Sequence, residues 1–171
     1  MGQVHVYTGD GKGKTTAAFG LAIRSLGQGK KVGIIQFLKS KPSSEVMALA
    51  QTDKFKNKLL IKSFGQSKLI KKPTKKDIKE AKRGLKEAKK ILKSDFDLII
   101  LDEINVAIAF GLLNVKKVIA ALESRPIGTN VVLTGRRAHL KLLEVADLVT
   151  EMRKIKHPFD RGIKAKKGIE Y

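Results

Sequence analysis

Apolar stretches of strand length alternate along this chain with segments whose apolar residues recur at helical spacing. Val4–Tyr7 alternates briefly and runs into a glycine-rich turn, the pattern of a strand feeding a loop. Thr15–Leu26 then sets Ala18, Leu21, Ala22 and Ser25 on one helical face, and Gly27 and Gly29 end it. Lys31–Leu38 is an almost continuous apolar run, as expected of a strand covered on both faces. Ser43–Thr52 reads as a short helix and Leu59–Phe64 as another strand. Pro73-Thr74 with Asp77 three residues on predicts a capped helix start. The helix that follows carries Ile78, Ala81, Leu85, Ala88 and Leu92 as a stripe, with its lysines off that stripe. Phe96–Leu101 is the most hydrophobic strand, Val115–Leu122 a helix ending before Arg125-Pro126, Asn130–Leu133 a strand, Ala138–Val145 a helix and Leu148–Met152 a last strand. A basic, glycine-containing tail runs on to Tyr171.

Strands alternating with helices predict parallel strands joined by right-handed crossovers, with helices on both faces. The four prolines, at 42, 73, 126 and 158, all fall in connections, and no repeat or boundary divides the chain. The expected class is α/β, one domain over residues 1–171 with a mostly parallel sheet.

Composition narrows the setting. A chain of 171 residues with 42% hydrophobic content can bury a core without staples. No apolar run approaches the roughly 18–20 residues that span a bilayer. The N-terminus lacks the layout of a signal peptide, and Met1-Gly2 is not followed by a myristoylation pattern. Zero cysteines exclude a disulfide framework, thiolate metal ligands and a thiol nucleophile. A cytoplasmic protein is expected. Thirty-six Lys+Arg against sixteen Asp+Glu give +20, and Gln66–Lys93 alone holds twelve basic residues against three acidic ones. Such a charge suggests a nucleic-acid partner. Against it stand the predominance of lysine and an aromatic content of 5%, so a solvated lysine-rich face is the favoured reading.

The chemistry sits at two strand ends. Gly13-Lys14-Thr15 completes the G-x-x-x-x-G-K-[ST] phosphate-loop pattern between a strand and a helix, which makes the expected fold P-loop NTPase-like. The first glycine position is taken by Thr8, and a glycine follows at Gly9. Backbone N–H groups of Gly9, Asp10, Gly11, Lys12, Gly13, Lys14, Thr15 and Thr16 are expected to cradle a triphosphate at the positive end of the helix. Lys14 would reach the distal phosphates and the Thr15 hydroxyl a Mg²⁺ ion. Lys12 adds a second positive charge. The second element is Leu98–Glu103, LIILDE, which puts Asp102 and Glu103 at the carboxyl end of a buried strand, where open α/β sheets bind ligands. Together Thr15, Asp102 and Glu103 form the expected site for Mg²⁺, with Mn²⁺ as an alternative. These residues alone leave open whether a nucleotide is hydrolysed, transferred or only bound.

Longer segments narrow that choice. VYTGDGKGKTTAAFGLAIRSLGQGKKVGIIQFLK, LDEINVAIAFGLL, Arg125-Pro126, VVLTGR and ADLVTEMRKIKHPFDRGIKAKKGIEY resemble the P-loop class of ATP:corrinoid adenosyltransferases, which share the Thr-then-Gly shift. The resemblance implies that a reduced corrinoid, Co(I), attacks the 5′ carbon of ATP and that triphosphate leaves intact. It also implies that ATP lies reversed relative to ordinary P-loop enzymes. Lys12 and Lys14 are then the catalytic pair, stabilising a leaving group, and Arg24 matches a helix arginine that contacts the nucleotide. A homodimer and a reductase supplying Co(I) are further implications. One stretch departs: where relatives place aromatics beneath the corrin, FGQSKLIKKP keeps Gly65 but has Lys68 and Ile70, leaving Phe64, Leu69 or Ile70 as apolar substitutes. His5, His139 and His157 stand singly and are read as structural. Two other classes remain as alternatives, a basic nucleic-acid-binding ATPase and an ATP-sensing module without turnover.

Overall fold

Branched side chains alternating at period two along each predicted strand give the sheet two apolar faces, and the chain covers both. The computed structural model describes residues 1–40, 43–66 and 72–169. Among these, the strands are β1 (Val4–Thr8), β2 (Val32–Phe37), β3 (Leu59–Phe64), β4 (Leu98–Asp102), β5 (Asn130–Thr134) and β6 (Leu148–Glu151). They form one sheet in the order β3-β2-β4-β5-β1-β6, and every pairing is parallel. The helices are α1 (Lys14–Gly27), α2 (Ser44–Ala50), α3 (Lys75–Ile91), α4 (Ile104–Ala109), α5 (Val115–Glu123) and α6 (Leu140–Glu144). The architecture is the expected α/β, P-loop NTPase-like one, with the sheet parallel throughout.

Period two sorts the core. Val4, Val6, Ile35, Phe37, Ile99, Leu101, Val131 and Leu133 point to the face covered by α3, α4, α5 and α6. Val32, Ile34, Leu98, Ile100 and Val132 point to the opposite face, against Ala18, Phe19, Ala22 and Leu26 of α1 and Val46 and Leu49 of α2. β4 lies between β2 and β5 and is buried along its whole length, which explains why LIIL carries no polar alternation.

The predicted cap of α3 is present. The Asp77 N–H donates to Thr74 Oγ1 at 3.2 Å, and Asp77 Oδ2 accepts from the Thr74 N–H at 2.9 Å. Ala81, Leu85, Ala88 and Leu92 of the expected stripe are buried. Two readings need correction. Helix α4 begins directly after β4, within a segment that showed no helical periodicity of its own. Pro158, read as part of a connection, opens a short 3-10 helix over Pro158–Arg161, where its fixed φ and missing N–H suit the first position. Pro42 lies outside the described residues.

Candidate active site at the carboxyl edge of the sheet

The phosphate loop leaves β1 in the middle of a clamp. β1 is flanked by β5 and β6, and the Met152 N–H just past β6 donates to the Thr8 carbonyl at 2.9 Å. Thr8 Oγ1 accepts from the Ala138 N–H at 3.2 Å, so the threonine in the usual glycine position fastens the loop to the segment before α6. Gly9 and Gly13 have φ of 92° and 116°, a region that strains any residue with a Cβ. A Cβ at Gly9 or Gly11 would also come within 2.6 or 2.5 Å of the Met152 carbonyl oxygen.

That packing removes one donor from the expected nest. The Gly11 N–H donates to the Met152 carbonyl at 2.6 Å and is not turned toward a ligand. The first turn of α1, where helix geometry leaves N–H groups without intrahelical partners, offers donors suited to an anion. Lys14, the first residue of α1, is 8% exposed and folds into the loop, donating from Nζ to the Gly9 and Gly11 carbonyls at 2.7 and 2.6 Å. Burial lowers its pKa, the Arg136 charge lowers it further, and Glu103 and Asp10 oppose both. Lys12 Nζ donates to the Ile169 carbonyl at 2.5 Å, so the tail folds back beside the loop. Asp10 and Thr16 are exposed, Asp10 standing 3.9 Å from Arg136 in a surface pair worth little.

Across the edge, β4 delivers Asp102 beneath the start of α1. Its side chain is fully buried and accepts four hydrogen bonds. Oδ1 takes those of Thr15 Oγ1 (2.9 Å) and Thr134 Oγ1 (2.7 Å), and Oδ2 those of Gln36 Nε2 (3.0 Å) and Lys39 Nζ (2.8 Å). Burial pushes its pKa up, but the Lys39 ammonium and the hydrogen bonds of Lys39, Thr134 and Gln36 outweigh it and hold the carboxyl below its ordinary value. Thr15 thus donates its hydrogen bond to Asp102 and keeps its oxygen lone pairs for another partner.

Glu103 occupies a left-handed backbone position, φ 62°, at the start of α4, with its N–H bonded to Thr134 Oγ1 at 3.0 Å. Burial raises its pKa, the adjacent Asp102 charge raises it further, and Lys39, Lys14 and Arg136 pull it back. A magnesium-type ion fits this donor set. The Thr15 oxygen and the Glu103 carboxylate offer hard oxygen ligands, while Asp102 has every acceptor position taken and suits an outer role. Among the described residues no three His, Cys, Asp or Glu side chains gather to hold a metal, so phosphate oxygens and water would complete the shell.

Thr8, Gly9, Lys12, Lys14, Thr15, Asp102 and Glu103 therefore share one edge. Arg24 does not join them. It lies exposed in the last turn of α1, ten residues and about 15 Å of helix from Lys14, near the Tyr7 ring. Lys68, Leu69 and Ile70 fall outside the described residues. The sequence reading missed Gln36, Lys39, Thr134 and Arg136. Thr134 and Arg136 stand in VVLTGR and Gln36 and Lys39 in GIIQFLK; pairing of the strands brings Thr134, Gln36 and Lys39 to Asp102, and Arg136 within electrostatic reach of Lys14 and Glu103. His139 Nδ1 and His157 Nδ1 accept from the Lys141 and Phe159 N–H groups as helix caps, and His5 meets Gln3. These contacts fit the structural reading of all three.

Residues 1–171 match the family described as ATP:corrinoid adenosyltransferase BtuR/CobO/CobP. The corrinoid adenosyltransferase of Escherichia coli (strain K12) is 38% identical over 170 residues, covering 99% of this chain and 86% of that protein. The corrinoid adenosyltransferase of Pseudomonas aeruginosa is 38% identical over 172 residues, covering 99% and 84%. Corrinoid adenosyltransferase CobA of Salmonella typhimurium is 36% identical over 171 residues, covering 99% and 86%.

Proposed function

This chain belongs to the ATP:corrinoid adenosyltransferase family, and from that premise we propose how its own residues carry out the transfer of the 5′-deoxyadenosyl group of ATP to a reduced corrinoid. The observation that carries the reading is the convergence of Lys14, the first turn of α1, Thr15 and the Asp102–Glu103 pair at the carboxyl edge of the sheet. The cobalt electron pair of the Co(I) substrate forms a bond to C5′, the C5′–O bond breaks, and its electrons leave with the triphosphate. Cobalt is the nucleophile, so no side chain has to act as one. The protein's task is to hold a polyanion whose charge grows at the scissile oxygen, an electrostatic task for fixed cations and N–H dipoles.

Lys14 leaves the Gly9 and Gly11 carbonyls to meet the triphosphate, and Lys12 supplies a second charge from the tail side of the loop. Thr15 and Glu103 would hold a divalent cation that shields the leaving charge. Asp102 orients Thr15 by accepting its hydrogen bond. Arg24 enters the proposal as a contact for the part of the nucleotide furthest from the loop, which agrees with its place along α1. The whole chain works as one domain, as a homodimer, in the cytoplasm beside a reductase that maintains Co(I). No helix among the described residues is long and apolar enough to cross a membrane.

Anaerobic incubation with Mg-ATP and chemically reduced cobalamin or cobinamide tests the assignment. The expected result is the absorption spectrum of an adenosylated corrinoid. Absence of product with every corrinoid offered would remove it.

A further inference from the structure

Of the four donors on Asp102, Gln36 and Thr134 are fully buried and Thr15 is fixed in the first turn of α1. Lys39 alone reaches the carboxylate on a long stem from the solvent side, its side chain 27% exposed. The chain is shaped to bring it there. Leu38 takes φ 60°, an unfavourable region for a leucine, turning the backbone back at the end of β2. Gly65, just past β3, lies so close to that turn that a Cβ there would collide with the Leu38 backbone and the Lys39 nitrogen.

The ammonium thus sits where a metal ion would have to sit to use Asp102 Oδ2. A free divalent cation entering the edge would meet Lys39, Lys14 and Arg136, all within electrostatic reach of Glu103. Glu103 would meet it as a part-buried carboxylate with no hydrogen-bonded partner among the described residues. A cation already bound to triphosphate brings its own negative charge and meets attraction from the same three side chains. We infer that Lys39 is a positioning residue that keeps a divalent cation off Asp102 in the nucleotide-free protein, so that the metal enters with the nucleotide and not ahead of it. The inference rests on the metal-holding part of the function proposed above.

The test uses the full chain and Mn²⁺ alone, without nucleotide, with free Mn²⁺ read by electron paramagnetic resonance. Lys39→Met is expected to bind Mn²⁺ about ten-fold tighter or more than the unaltered protein. Adding Asp102→Asn should abolish that gain, and Lys39→Arg, which keeps the charge, should behave like the unaltered protein. Lys39→Gln retains a neutral donor to Asp102 and serves if circular dichroism shows Lys39→Met to be unfolded. Affinity for Mn²⁺ that stays the same or falls in the folded charge-removing variant overturns the inference, even if nucleotide binding weakens, since that is how a plain phosphate contact would behave. Unaltered protein that makes adenosylated corrinoid while Mn²⁺ affinity ignores Lys39 would defeat this inference and leave the function standing. Lack of product from the unaltered protein would strike the function itself.

Discussion

Lys14 is held by two backbone carbonyls of its own loop, each accepting from its ammonium. A triphosphate offers the ammonium full negative charges in place of carbonyl dipoles, so exchange of partners favours the nucleotide. Replacing Lys14 by Ala should lower kcat for adenosylation by about 10²–10³, the cost of one donor aimed at developing charge. A change confined to KM would show instead that Lys14 serves ground-state binding. Glu103 makes the opposite trade. Its folded pKa is raised, so the folded chain holds this proton more tightly than the unfolded one, and stability falls as pH rises through and above about 4.3. Glu103→Gln removes that loss. Thermal melts should place the variant above the parent, by more at pH 7.5 than at pH 4.5, while metal-supported activity drops. Asp102 works in the other direction, its depressed pKa giving stability that is present above about pH 4 and lost as pH falls below it. The loop lysines and the two carboxylates were legible because each lies in a contiguous motif. Gln36, Lys39 and Thr134 were not, because they converge on Asp102 from β2, the turn after it and β5, and pairing register is invisible in a linear pattern.

Elements were read well where periodicity was long. The 17 residues of α3 give nearly five turns, with a cap at the start, and the predicted stripe is buried from Ala81 on, with Ile78 half-buried. Helix α4 was missed because its six residues are apolar almost throughout and its N-cap, Glu103, lends no side-chain hydrogen bond. The last strand, β6, was found although every residue in it is exposed. Within α3, Gly84 poses a contest between two effects. Alanine gains about 1 kcal/mol of helix propensity, yet its Cβ would stand 2.8 Å from the buried Phe37 ring. Overpacking of this kind costs about 1–3 kcal/mol, so Gly84→Ala should lose stability overall despite the propensity gain. A melt unchanged or raised for Gly84→Ala would mean that the Phe37 ring yields without cost.

At the scale of the molecule the net charge of +20 dominates. Ion pairs on α3 engage Glu80 and Glu87, while lysines such as Lys75, Lys79, Lys82 and Lys86 stand exposed along one side of the helix. Self-repulsion on this scale opposes the compact state, and salt shortens its range from about 10 Å at 0.1 M to about 3 Å at 1 M. The melting temperature should therefore rise with NaCl concentration across that range, and a fall would show that exposed ion pairs outweigh the repulsion. Charge says little about the reaction, however, which is decided at the carboxyl edge. There the account makes the triphosphate a leaving group gripped whole, with chemistry at the far end of the nucleotide. Phosphorus NMR of the products, run beside the corrinoid spectrum under anaerobic conditions, tests that claim most directly. The account predicts intact inorganic triphosphate in one-to-one ratio with adenosylated corrinoid. Orthophosphate or pyrophosphate accumulating in its place, or nucleotide consumed at the same rate without reduced corrinoid, would contradict it.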